Sequence, residues 1–159
     1  MPSANSPVFF LLKYAWLLFI VNTCVNAAIW RHRGRKEIAA NPRLEPGYKR
    51  LIRGWLVLFN TPFLLMGAGI LMGSVPTVFG YFNLHGGPFV IAFWITIVAG
   101  WAVLLRWLFR GGAEELVAHP GLLNGDLQPR LVKMYAVLAL CGGMFAFSMM
   151  ALGKLPLPR

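Results

Sequence analysis

Four apolar stretches, at residues 8–30, 51–74, 88–109 and 131–152, decide most of what this chain can fold into. Each approaches the ~20 residues that a helix needs to cross the hydrocarbon core of a bilayer. Inside hydrocarbon the backbone finds no water, so every N–H and C=O must be satisfied within its own segment, which a lone span achieves only as a helix. A soluble alternative has little room. Of the 159 residues 58% are hydrophobic and 13% charged, against roughly 45–50% and 25% in soluble domains. A soluble domain of this length lacks the interior to hide that much apolar surface. The expected fold class is therefore an all-α membrane protein, a four-transmembrane-helix bundle forming one integral membrane domain over residues 1–159.

The segments between spans differ sharply in charge, and that difference predicts an orientation. Twelve basic residues fall on one side: Arg31, Arg33, Arg35, Lys36, Arg43, Lys49, Arg50 and Arg53, then Arg106, Arg110, Arg130 and Lys133. The opposite side has Lys154 and Arg159, and residues 75–87 carry no charge. The positive-inside bias then puts the loops 31–50 and 110–130 in the cytoplasm and both termini outside it. Trp30, Trp55 and Trp107 fall at the inner ends of spans, with Phe79, Tyr81 and Phe82 in the outer connection, as aromatic belts would. The expected location is a cell membrane, in keeping with the inner membrane of a bacterium. The first span is read as retained rather than cleaved, because nothing basic precedes Lys13 as a signal peptide requires. The net charge of +10 does not point to nucleic acid, since the basic residues flank apolar spans instead of forming a face on a soluble domain.

Residues 34–44 and 112–122 resemble each other, sharing Gly34/Gly112, Glu37/Glu115, Ile38/Leu116, Ala40/Ala118, Pro42/Pro120 and Leu44/Leu122. After a two-residue gap, Arg50, Leu51, Ile52 and Arg53 likewise match Arg130, Leu131, Val132 and Lys133, and the offset of the first match, carried back, pairs Trp16 with Trp94. The pattern predicts a duplicated helical hairpin, with the halves in parallel and unlike the inverted repeats of many transporters. Each loop is expected to open with a short interfacial helix ending before its proline, because the residue preceding proline is pushed away from helical geometry.

No Asp or Glu lies within a span; Glu37, Glu45, Glu114, Glu115 and Asp126 all belong to the basic loops. Intramembrane carboxylates are common carriers of ion coupling, so their absence weighs against a secondary transporter. Lys13 can snorkel to the interface. Asn22 and Asn26 share one helix face, and Asn60 and Thr61 precede Pro62, which should bend its helix. Interhelical hydrogen bonds of about 0.6 kcal/mol each account for such residues. Cys24 and Cys141 read as small buried hydrophobes. Small residues four apart, Gly69 and Gly73, Thr96 and Gly100, Ala139 and Gly143, are candidate helix-packing positions.

The sharpest candidate site is polar and lies at the cytoplasmic face. Glu115 and His119 share one face of the second loop's helix, and the repeat pairs them with Glu37 and Asn41. A two-fold arrangement would bring the four together, although pairing of Glu37 and Glu115 with the surrounding arginines, which stabilises the loop helices, is the preferred reading. His32, Glu114 and Asp126 could add ligands, but a metal site needs a fuller set with defined geometry. None of His32, His85 and His119 sits mid-span, which argues against a haem held between helices. No catalytic residue, cofactor or metal is therefore assigned. The first functional expectation is a non-catalytic accessory or structural subunit, partnered by lipid and by other membrane subunits or copies of itself. A small channel or transporter comes second, and a membrane enzyme at the cytoplasmic interface third.

Overall fold

The computed structural model describes residues 7–83, 86–123 and 127–151, and within them the chain is helical with no strand. His85, Asp126, Lys154 and Arg159 lie outside the described residues. Four helices are long and apolar enough to cross a membrane. The first, α1, runs from Pro7 to Ala40 without interruption. Its 34 residues span roughly 50 Å at about 1.5 Å per residue. It therefore continues well past residue 30, where the apolar pattern ends. Arg, Lys, Glu, Ala and Ile are all compatible with helix, and nothing breaks the turn until Pro42. Asn41 is extended (φ −142°, ψ 91°), as expected before proline, and its side chain accepts a hydrogen bond from the Arg43 N–H. A 3₁₀ turn over Pro42–Leu44 then leads into α2, Glu45–Leu71, with Pro46 in its first turn. The expected loop 31–50 is thus mostly two helix ends joined by one tight turn.

Helix α2 continues through the buried Pro62, and the Thr61 hydroxyl donates to the Val57 carbonyl one turn back. It ends at Leu71 rather than residue 74. There Gly73 takes φ +72°, the Ser74 N–H donates to Gly69 O and the Gly73 N–H to Ile70 O. That pair of bonds is the Schellman arrangement, in which a left-handed glycine lets the last carbonyls find donors. Gly73 is consequently a cap, and the Gly69 and Gly73 pair does not form one helical packing face.

The connection between α2 and α3 folds back onto the bundle. Its 3₁₀ segment, Val78–Phe82, buries Tyr81 completely. The Tyr81 hydroxyl lies over Gly69, where any β-carbon would collide with it, and donates to the Met66 carbonyl at 3.0 Å. Trp94 Nε1 donates in turn to Tyr81 O at 2.8 Å. Tyr81 is therefore a core residue and not part of an aromatic belt. Around it Trp16, Met66, Ile70, Val90 and Phe93 form the main core of this end. The Trp16 ring occupies the notch left by Gly67, which draws α1 close to α2.

Helix α3, Pro88–Trp107, passes into a wide turn over Leu108–Gly112. Gly111, at φ +109°, breaks the axis there, and Gly112 lies beneath the Trp107 ring. A short helix α4, Ala113–Val117, follows, with Glu114 and Glu115 in its first turn, where the dipole favours acids. The last helix, α5, covers Pro129–Ala151. Among the described residues it packs on the others along one side. Val132 packs with Leu108 and Ala113, and the Phe147 ring sits among Phe82, Trp94 and Trp101. Gly100 and Gly143 face the Leu58 and Trp101 side chains, Thr96 bonds its own helix at Phe93 O, and Ala139 is exposed.

Candidate functional site

The basic end of the molecule is organised around the first turns of α2. Gly47 faces the His119 ring so closely that an added β-carbon would fall 1.9 Å from Nε2. The adjacent Tyr48 is 2% exposed, and its ring meets the His119 ring edge-on with centroids 4.9 Å apart. Its hydroxyl donates to the Pro120 carbonyl at 2.5 Å. On its other flank Tyr48 packs against Gly34 of α1. Burial raises the Tyr48 pKa, and the nearby negative charge of Glu37 raises it further.

His119 is held from the far side as well. Its Nδ1 is 2.7 Å from the Glu115 carbonyl oxygen. A carbonyl can only accept, so Nδ1 carries the hydrogen. The Glu115 carboxylate receives both Nε (3.1 Å) and Nη2 (2.5 Å) of Arg50. Glu115 of α4 and His119 just beyond it thus grip α2 twice, through the carboxylate and through the imidazole. Glu114 points the other way and takes Lys133 of α5 at 2.7 Å. That hydrogen bond holds the Glu114 carboxyl below the usual carboxylate range.

Of the four residues expected to converge, His119 meets the Tyr48 ring, Glu115 pairs with Arg50 two residues along α2, and Glu37 of α1 acts on Tyr48 through its charge. Asn41 does not join them, because it is exposed and caps the Pro42–Leu44 turn. His32 lies apart, in a cleft along α1. Among the described residues, no three His, Cys, Asp or Glu side chains come together as a metal would need. Arginine pairing of Glu115 was expected from the sequence, and Arg50 supplies it, but Gly47 and Tyr48 were missed as the surface that receives His119. The one available signal was the Gly-Tyr pair just inside a helix start, where glycine is otherwise a poor choice.

The polar atoms of this cluster are directed at one another. Imidazole, phenol, carboxylate and guanidinium each find a partner within the chain, and the result is a clamp between the connector 108–123 and the α1–α2 hairpin. Deeper in the bundle, the buried Thr23 hydroxyl meets Asn60 Oδ1 and Ile20 O, a second polar tie between α1 and α2. Comparison with protein-family models, curated proteins and solved structures found no match to this chain.

Proposed function

We propose that the chain is a multi-pass membrane protein that serves as a non-catalytic accessory subunit, joining a partner helix or a second copy through α5. One observation carries the reading. Among the described residues, helix α5 packs on the bundle along one side, through Val132, Ala136, Gly143 and Phe147, while Met134, Tyr135, Leu138, Met144 and Phe145 face outward. Ala139 and Gly142 are exposed between them, and nothing lies within 4 Å of a β-carbon built on Gly142. In lipid, apolar surface alone does not drive helices together, and small residues that permit close backbone approach do. A helix with bulky and small residues alternating outward is suited to such a contact. The clamp supports the same reading, since the Glu115 carboxylate and the His119 imidazole are already engaged in holding the connector 108–123 to α2.

The basic ends of the helices face the cytoplasm in this reading, and both termini lie outside. The two hairpins descend from one duplicated unit arranged in parallel. In support, each connector ends a helix just ahead of its proline, at Ala40 before Pro42 and at Val117 before Pro120. The halves have diverged at Gly111, which breaks the helix in the second hairpin where α1 runs on.

Extraction in mild detergent followed by native mass measurement tests the subunit reading. The expected result is a fixed-stoichiometry complex or homo-oligomer that Gly142→Leu, on the outward face, disperses without loss of helicity. Recovery of single copies without a partner refutes it. A catalytic activity that Glu37→Gln with Glu115→Gln abolishes, in a protein still folded, would favour the enzyme reading instead. For orientation, Cys24 and Cys141 are replaced by serine and a cysteine is introduced at Ala40. That thiol should react with an impermeant maleimide only after the cells are opened.

A further inference from the structure

Two clefts meet along the part of α1 that emerges from the apolar span. The larger, about 440 Å³, lies between α1 and the start of α2. Arg31 and Arg35 line it from α1, Lys49 and Arg53 from α2. The smaller, about 350 Å³, shares Arg31 and Arg35 and adds His32, with Cys24, Ala27, Ala28 and Leu56 completing its lining. Arg31 and Arg35 stand one turn apart and so project from the same side of α1, as Lys49 and Arg53 do on α2. Glu45 is the one acid on either lining, and its carboxylate is taken by Lys49 at 2.7 Å. Among the described residues, no carboxylate forms an ion pair with Arg31, Arg35 or Arg53.

Like charges one turn apart oppose a helix, yet α1 runs unbroken through Arg31 and Arg35. A bound anion would offset that repulsion, and the planar guanidinium fork matches the oxygens of a phosphate. The rest of the lining narrows the choice. Cys24, Ala27 and Ala28 lie one to two turns closer to the middle of the apolar span than the arginines, and with Leu56 they make that part of the smaller cleft apolar. Inorganic phosphate would leave this stretch unfilled. A molecule with a phosphate at one end and a hydrocarbon chain at the other fills both parts. The arginines also stand just beyond the apolar residues, at the level where headgroups lie.

We infer that the joined clefts bind one anionic phospholipid, its phosphate between Arg31, Arg35 and Arg53 and an acyl chain along Cys24, Ala28 and Leu56. The inference rests on the membrane-spanning reading. In the test, full-length protein in neutral detergent is titrated with phosphatidylglycerol, phosphatidylcholine and inorganic phosphate, and bound molecules are counted by native mass spectrometry. One phosphatidylglycerol should bind about tenfold or more tighter than phosphatidylcholine, and R31Q/R35Q should lose that margin, as expected for removal of charge-assisted hydrogen bonds. R31K/R35K, which keeps the charge but not the fork, should fall between the two. A28F, which fills the apolar part, should weaken phosphatidylglycerol and leave phosphate binding unchanged. Equal affinity for phosphatidylcholine overturns the inference, as does unchanged binding by R31Q/R35Q with helicity intact. If phosphate binds as well as phosphatidylglycerol and A28F affects neither, the site takes free anions and the lipid assignment falls. Recovery of the chain from the soluble fraction without detergent would instead refute the membrane reading beneath it.

Discussion

Replacing Gly47 by alanine is the most direct probe of the clamp between the connector 108–123 and the α1–α2 hairpin. The backbone itself permits alanine, since Gly47 is not among the glycines with positive φ. The obstacle is the imidazole, because the new methyl would sit 1.9 Å from Nε2 and 2.6 Å from Cε1 of a His119 ring that is 8% exposed. Two relaxations are open. If α2 backs away, overpacking costs about 1–3 kcal/mol. If the ring leaves, the edge-to-face contact with Tyr48 is lost at about 0.5–1.5 kcal/mol. The hydrogen bond to Glu115 O goes with it, at another ~0.5–1.5 kcal/mol. Either route costs about the same. Against it stands a gain of about 0.4–1 kcal/mol, because alanine restricts the unfolded chain. The net expectation is a destabilisation of about 1–2 kcal/mol, read as a lower Tm in detergent by circular dichroism. With His119→Ala already in place the obstacle is gone. There the same Gly47→Ala change should become neutral or stabilise by up to about 1 kcal/mol. If Gly47→Ala has the same sign and size in both backgrounds, the notch is not what glycine provides at this position, and the reasoning fails.

Gly73→Ala should cost about 1–2 kcal/mol, because an L-residue is held there in the left-handed region; Gly73→Asn should cost less in the same melt. Tyr81→Phe removes the hydroxyl that bonds Met66 O and should cost about 0.5–1.5 kcal/mol, whereas Tyr81→Ala should cost about 3–5 kcal/mol by emptying the core. The Glu114 carboxyl is depressed in the folded protein, so the Lys133 pair stabilises fully above the usual carboxylate range and is lost as pH falls through the depressed value. The Tm difference between wild type and Lys133→Met should accordingly shrink on acidification, and a difference that grows would contradict the assigned pair.

How much of this could be read beforehand varied by element. The four apolar helices were legible from length and hydropathy, because a span must satisfy its own backbone and needs about 20 apolar residues whatever its neighbours are. Pro42 and Pro120 announced the helix stops, since the restriction on the preceding residue is local. Glu115 and His119 stood out in the sequence by their spacing of four, but not the Gly47 and Tyr48 surface that receives the imidazole. The bounds of α1 and α2 differ from those of their apolar stretches for a different reason. Charged residues are compatible with helix, so an apolar pattern that stops at residue 30 marks the end of the apolar stretch and not of α1.

What the sequence alone determined, then, is the set of features that depend on one segment at a time: four apolar helices, their proline stops and the one-sided distribution of basic charge. Tertiary structure decided which small or aromatic residue does what. Gly73 became a cap when α2 ended at Leu71, Tyr81 became core when the connection folded over Gly69, and Gly47 became the seat of His119. The Tyr48 to Pro120 hydrogen bond joins residues 72 positions apart. Contacts of that kind leave no periodicity in the chain, because they are fixed by how close two helices come and not by the local spacing of either one.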